Sequence, residues 1–171
     1  KECRSQSRTE RLRGEAAIDV LGDYRAQWAL PELKALLKDN GEQARSTLIL
    51  NIVRIGGPTL PQFAREMLDP EKTPRMERFS VYEELSAYVG VDTVRPQPLP
   101  DKKSKDPALK DEILQLLKTA LTTEPDLFLR KRIRAILVAA GVDPASLPKE
   151  EAGTQVPEAT PKKDDPPPQA K

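Results

Sequence analysis

Four pairs of adjacent carboxylates are the residues that most suggest acid/base chemistry: Glu83-Glu84, Asp111-Glu112, Glu150-Glu151 and Asp164-Asp165. Glycoside hydrolysis needs two carboxylates on opposite sides of one scissile bond. Neighbours on a helix project about 100° apart, so no such pair flanks a bond, and all four read as solvated surface. The 171-residue chain has no histidine, the commonest general base and metal ligand. Ser/His, Cys/His and zinc-hydrolase arrangements go with it. Cys3 is the single cysteine. It can form neither an intramolecular disulfide nor a thiolate cage, and Lys1 and Arg4 beside it offer only solvated charge, so it reads as inert. The Ser and Thr hydroxyls have no base to activate them, and Gly56-Gly57-Pro58 reads as a helix stop followed by a helix start, not a phosphate loop. The chain is expected to be non-enzymatic, with no catalytic residue, cofactor or metal.

Binding chemistry is the remaining possibility. The densest basic cluster is Arg130-Lys131-Arg132-Ile133-Arg134, where helical geometry spreads the charges and turns Ile133 inward. Lys plus Arg number 28 against 27 for Asp plus Glu, a net charge of +1 that provides no general attraction to phosphate backbones or anionic membranes. Nucleic acid is therefore the last-ranked partner and another protein the first. Tyr24 and Trp28 could anchor a partner, but the preferred reading packs them as a staple beside the helix entered at Pro31.

The elements that position these residues emerge from an internal period. Apolar helical patterns end at Gly22, Gly56, Gly90 and Gly141, the first three spaced by 34 residues. Leu21, Ile55, Val89 and Ala140 lie one residue before the glycines. Ile18, Ile52, Ser86 and Leu137 lie four before, and Gly14, Leu48, Tyr82 and Ile133 eight before. This is one helix face repeated four times. Eleven before come Arg11, Arg45, Phe79 and Arg130. Each glycine is expected to close its helix in a left-handed conformation.

A second helix follows each of the first two glycines, entered through Pro31 and Pro61, with Thr59 to Gln62 at capping-box spacing. In the third copy, the sixteen residues 92–107 hold four prolines and cannot form a continuous helix. The Gly90 to Gly141 spacing of 51 is thus 34 plus a 17-residue insertion. The second helix resumes at Asp106-Pro107 and carries Leu109, Ile113, Leu116, Leu117 and Leu121 on one face. The expected architecture is all-α, about seven helices: a flexible stretch 1–7, a helical domain 8–143 with the insertion at 92–107, and a Pro/Lys/Glu-rich tail 144–171 whose composition predicts disorder. The insertion and the tail read as linkers, with a role as extended Pro-rich ligands the alternative.

No apolar run approaches the roughly 18 residues that cross a bilayer, so the chain is expected to be soluble as given. Its start at Lys1 suggests a processed or partial chain, cytoplasmic or extracytoplasmic, with a lipid-anchored precursor one possibility.

Leu36-Leu37-Lys38-Asp39 followed by Arg45, and Met67-Leu68-Asp69-Pro70 followed by Arg75 or Arg78, resemble HEAT repeats, especially the short bacterial type also seen in phycobilisome-lyase proteins. The resemblance covers roughly residues 8 to 143 and implies an α-solenoid. It also implies that Asp39, Arg45 and Asp69 bridge adjacent units, and that the second helices line the concave side. On those helices the outward residues are Glu32, Lys34 and Lys38, then Gln62, Arg65 and Glu66, then Lys110, Asp111, Gln115 and Lys118. The first expectation for function is a protein-binding scaffold or adaptor using this mixed-charge surface. The alternatives are a substrate-holding subunit of a lyase-type or protein-modifying enzyme and a HEAT-like nucleic-acid binder.

Overall fold

The computed structural model describes residues 8–39, 44–92 and 106–148. The stretch 1–7 with Cys3, nearly all of the insertion and the tail from residue 149 lie outside the described residues. Among the described residues there are seven α-helices and no strand: α1 (Arg8–Asp23), α2 (Leu30–Asp39), α3 (Arg45–Ile55), α4 (Leu60–Met67), α5 (Arg75–Tyr88), α6 (Lys110–Thr123) and α7 (Leu127–Ala139). The protein is all-α, as its composition and periodicity predict.

The odd-numbered helices pack in series, α1 on α3, α3 on α5 and α5 on α7. The others lie against them, α2 on α3, α4 on α3 and α5, and α6 on α5 and α7, with α4 also touching α6. The helices from α2 onward each bury an apolar stripe, and Ile18 and Leu21 of α1 pack half-buried against the same core. Leu48, Tyr82 and Ile133, equivalent in the 34-residue alignment, are 1% exposed or less, as are Ser86 and Leu137, while Ile52 and Ile55 are 2% exposed. Leu109, just before α6, and Ile113, Leu116, Leu117 and Leu121 on it complete the core. Gly14 is the exception in the repeated face, being exposed.

The glycines divide. Gly56, Gly90 and Gly141 have positive φ of 78°, 80° and 94°, which favours glycine, although Gly56, with ψ −135°, lies outside the left-handed helical conformation expected after a helix. Gly22 does not: α1 continues through Asp23, and Arg25 takes the left-handed position with φ 49°. Gly22 is needed for space instead, since a Cβ there would run into the side-chain amide of the buried Asn51. Alanine normally favours a helix interior over glycine by about 1 kcal/mol. The same substitution should therefore act with opposite signs within α1. Gly14→Ala, with nothing near its added carbon, is expected to stabilise by about 0.5 to 1 kcal/mol, and Gly22→Ala to destabilise by about 1 to 3 kcal/mol through overpacking. Urea midpoints of the two variants check this, and equal shifts would remove the steric role of Gly22.

Three other expectations are corrected. Thr59 forms no capping box: its backbone is already helical (φ −89°, ψ 0°), and its hydroxyl accepts a hydrogen bond from Lys34 Nζ at 3.0 Å. Trp28 and Tyr24 are not stapled: they are 77% and 82% exposed, and Ala26 and Ala29 fill the core in that turn. The folded unit also passes the boundary set at 143. Asp143 caps a short turn over Pro144–Ser146, Leu147 is 6% exposed, and Arg134 holds the carbonyls of Pro148 (2.6 Å) and Pro144 (3.2 Å).

Candidate functional site

Two neighbouring grooves run between the even-numbered helices. The first, about 490 Å³ between α2 and α4, has an apolar floor of Leu37, Phe63 and Met67. Its rim carries Lys34, Lys38, Gln62 and Glu66, four of the residues expected on this face. Lys34 Nζ sits 5.6 Å from the Phe63 ring centre, a cation-π contact that places it over the floor. Gln62 Nε2 donates to Glu66 Oε1 at 3.4 Å. Arg45 also lines this groove, but its Nε donates to Glu77 Oε2 at 3.1 Å, which leaves Lys34 and Lys38 as the cations facing an occupant.

The second groove, about 340 Å³ between α4 and α6, is floored by Leu68, Leu116 and Ala120. Arg65 and Gln115, both expected here, line it with Asp69 and Glu112. Its charge is thus tilted negative, opposite to the first. Glu32, Lys110, Asp111 and Lys118 line neither groove; Glu32 and Asp111 are exposed and Lys110 and Lys118 half-buried. What this arrangement can do chemically is hold a chain by apolar contact and charge. Among the described residues no group of three or more His, Cys, Asp or Glu is placed to hold a metal, and no helix is long and apolar enough to cross a membrane.

Polar links between helices shape the grooves, and most of them are not legible in the sequence. Asn51, wholly buried on α3, donates to Asp19 of α1 at 2.8 Å and to the Thr47 carbonyl at 2.9 Å. Arg54 spans three helices, pairing with Asp23 of α1 at 3.1 Å and Glu84 of α5 at 3.0 Å. Burial works against its charge, but the hydrogen bond and charge of Glu84 together with the charges of Asp23 and Asp19 outweigh this, so its pKa rises. Arg132 of α7 grips both oxygens of Glu83 on α5. A polar residue inside an apolar run, as Asn51 is in Leu48-Ile49-Leu50-Asn51-Ile52-Val53, is the one signal of such a link that the sequence carries. Nothing comparable marks Glu124.

Glu124 closes the most buried network. Arg78 meets it with Nη2 at 2.7 Å and Nε at 2.9 Å, while Tyr82 Oη donates to it at 3.0 Å. The two charged side chains are 6% and 0% exposed. Desolvation above all, then the Glu124 charge, pushes the Tyr82 phenol far above its ordinary pKa. Arg78 is raised by its hydrogen bond to Glu124, against the opposing effect of burial.

The bridging roles implied by the resemblance are corrected in part. Arg45 does link two helices, but through Glu77; the Asp39 side chain lies outside the described residues. Asp69 does not reach Arg75 or Arg78. It pairs with Lys72 at 2.7 Å, a bond that lowers its pKa, and receives the Glu71 amide at 3.0 Å. Arg75 turns to Asp126 at 2.7 Å. The basic run on α7 is also largely committed, with Arg132 on Glu83 and Arg134 on backbone carbonyls.

Phe79, which stands where the repeat carries arginine, keeps its register. Arg45, eleven residues before Gly56, meets Glu77, thirteen before Gly90. Phe79, eleven before Gly90, meets Phe128, thirteen before Gly141, with ring centres 5.9 Å apart. An ion pair in one unit is an aromatic pair in the next. Comparison of the chain with protein-family models, curated proteins and solved structures returns no match.

Proposed function

We propose that the chain is a non-enzymatic scaffold or adaptor, a short HEAT-like α-solenoid that binds an extended segment of another protein along α2, α4 and α6. The observation that carries this reading is the pair of adjacent grooves with apolar floors and oppositely tilted rims. The contact between equivalent residues of successive units, Arg45 with Glu77 and Phe79 with Phe128, supports the solenoid class. Lys34 and Lys38 select a segment with an acidic residue beside an apolar one, and the α4 to α6 groove receives the adjoining part of that segment.

A phage-displayed peptide library panned on the full chain tests the proposal. The expected result is enrichment of acidic-apolar peptides whose affinity drops about tenfold on Lys34→Glu with Lys38→Glu, equivalent to about 1.4 kcal/mol, with a smaller loss at high salt. Absence of enrichment, or peptides indifferent to both substitutions, would overturn it. A duplex oligonucleotide that shifts the chain at low salt and loses binding on the same substitutions would replace it with nucleic-acid recognition.

A further inference from the structure

Positions eleven, seven or three before a glycine recur where one odd-numbered helix meets the next. On α1 the residue three before Gly22, Asp19, bonds Asn51 of α3. On α3 the stripe is Arg45, Ile49 and Val53; the first pairs with Glu77 of α5, and the other two are fully buried. On α5, Phe79 and Glu83 meet Phe128 and Arg132 of α7. Residues four apart fall on one helix face, so the stripe is a continuous surface.

On α7 the same stripe is Arg130, Arg134 and Val138, and no described α-helix comes after it, only the short turn Pro144–Ser146. Val138 is 39% exposed, whereas Val53, its equivalent on α3, is fully buried. Arg134 is occupied by the carbonyls of Pro144 and Pro148. Arg130 is different. Its Nε is buried with no hydrogen-bond partner, the single such side-chain atom among the described residues. The equivalent atom of Arg45 donates to the Glu77 carboxylate. A buried donor left unpaired is unfavourable, and a guanidinium is best satisfied by a carboxylate.

We propose that the face of α7 at Arg130 and Val138, beside the 143–148 segment that covers Arg134, is a docking site for an amphipathic helix of a partner protein, whose carboxylate pairs with the Arg130 guanidinium as Glu77 pairs with Arg45. The site is separate from the two grooves, and stands or falls independently of them. A second copy of this chain is a poorer fit, because the residue of its first unit at the Glu77 position is Thr9, which carries no charge.

The probe is α5 itself, the helix that the chain lays on the equivalent arginine. A labelled peptide of residues 74–90, stapled between positions 76 and 80 to hold it helical, is titrated into the full-length chain by fluorescence anisotropy. Saturable binding is expected, weakened at least about fivefold by Arg130→Gln in the chain or Glu77→Gln in the peptide, and no further by both together. Val138→Asp, at an exposed position, should weaken it as well, and melting curves confirm that each variant folds. No saturation by about 1 mM, or losses that multiply instead of coinciding, overturns the proposal. So does tighter binding on Glu150→Gln with Glu151→Gln, which would make the chain's own tail the occupant. A dimer in sedimentation that Arg130→Gln dissociates would assign the face to a second copy.

Discussion

Replacing Glu124 by leucine should cost about 3 to 5 kcal/mol of folding stability, seen as a lowered urea midpoint at unchanged slope. The magnitude comes from the groups left behind. Arg78 would keep its bond to the Thr73 carbonyl at 2.6 Å, but its charge would sit in the core with no carboxylate. Tyr82 Oη and the Asp126 amide, at 3.0 and 3.1 Å from Glu124, would lose their acceptor as well. Breaking a buried pair from one side is far worse than removing both partners, since the double change leaves no bare charge. Arg78→Met with Glu124→Leu should accordingly destabilise less than Glu124→Leu alone. If the double variant is the weaker of the two, the network contributes through its shape and not through charge. The stakes extend beyond stability, because Glu124 ends α6 and α6 forms one wall of the second groove.

An aspartate at Ile133 or Leu48 should abolish the cooperative melt altogether. These side chains are 0% and 1% exposed and occupy equivalent core positions, eight residues before Gly141 and Gly56. A buried carboxylate without a partner either stays charged at a cost of several kcal/mol or is protonated, and the lost apolar contact adds about 2 to 5 kcal/mol more. Together these rival the whole net stability of a domain of this size, about 5 to 15 kcal/mol. Val20→Asp, at a position 52% exposed, is the control and should change stability by no more than about 0.5 kcal/mol. Circular dichroism melts of the three variants decide it, and a cooperative transition in Ile133→Asp would mean that α7 is not integral to the core.

The all-helical class and the placement of the core are legible in the sequence because burial on a helix repeats every three to four residues, a one-dimensional property. Spacing alone picks out Leu48, Tyr82 and Ile133. The Asp106 cap is equally local, its carboxylate receiving the Ala108 amide two residues on. Local rules fail where a partner distant in sequence makes the decision. Thr59 has the spacing of a cap, yet its backbone is helical and its hydroxyl faces Lys34 of α2. Gly22 looks like a helix stop, but it is the approach of Asn51, twenty-nine residues later, that requires it.

Charge shows the division most clearly. The sequence by itself determined which residues are charged and on which helix face they stand. Which acid meets which arginine was decided only in three dimensions: Glu77 for Arg45, Glu124 instead of Asp69 for Arg78, and none for Arg130 Nε. The physical reason is that periodicity arises from the backbone of one helix, whereas pairing depends on the stagger between two. That stagger is set by the packing of the whole stack and leaves no local mark in the order of residues.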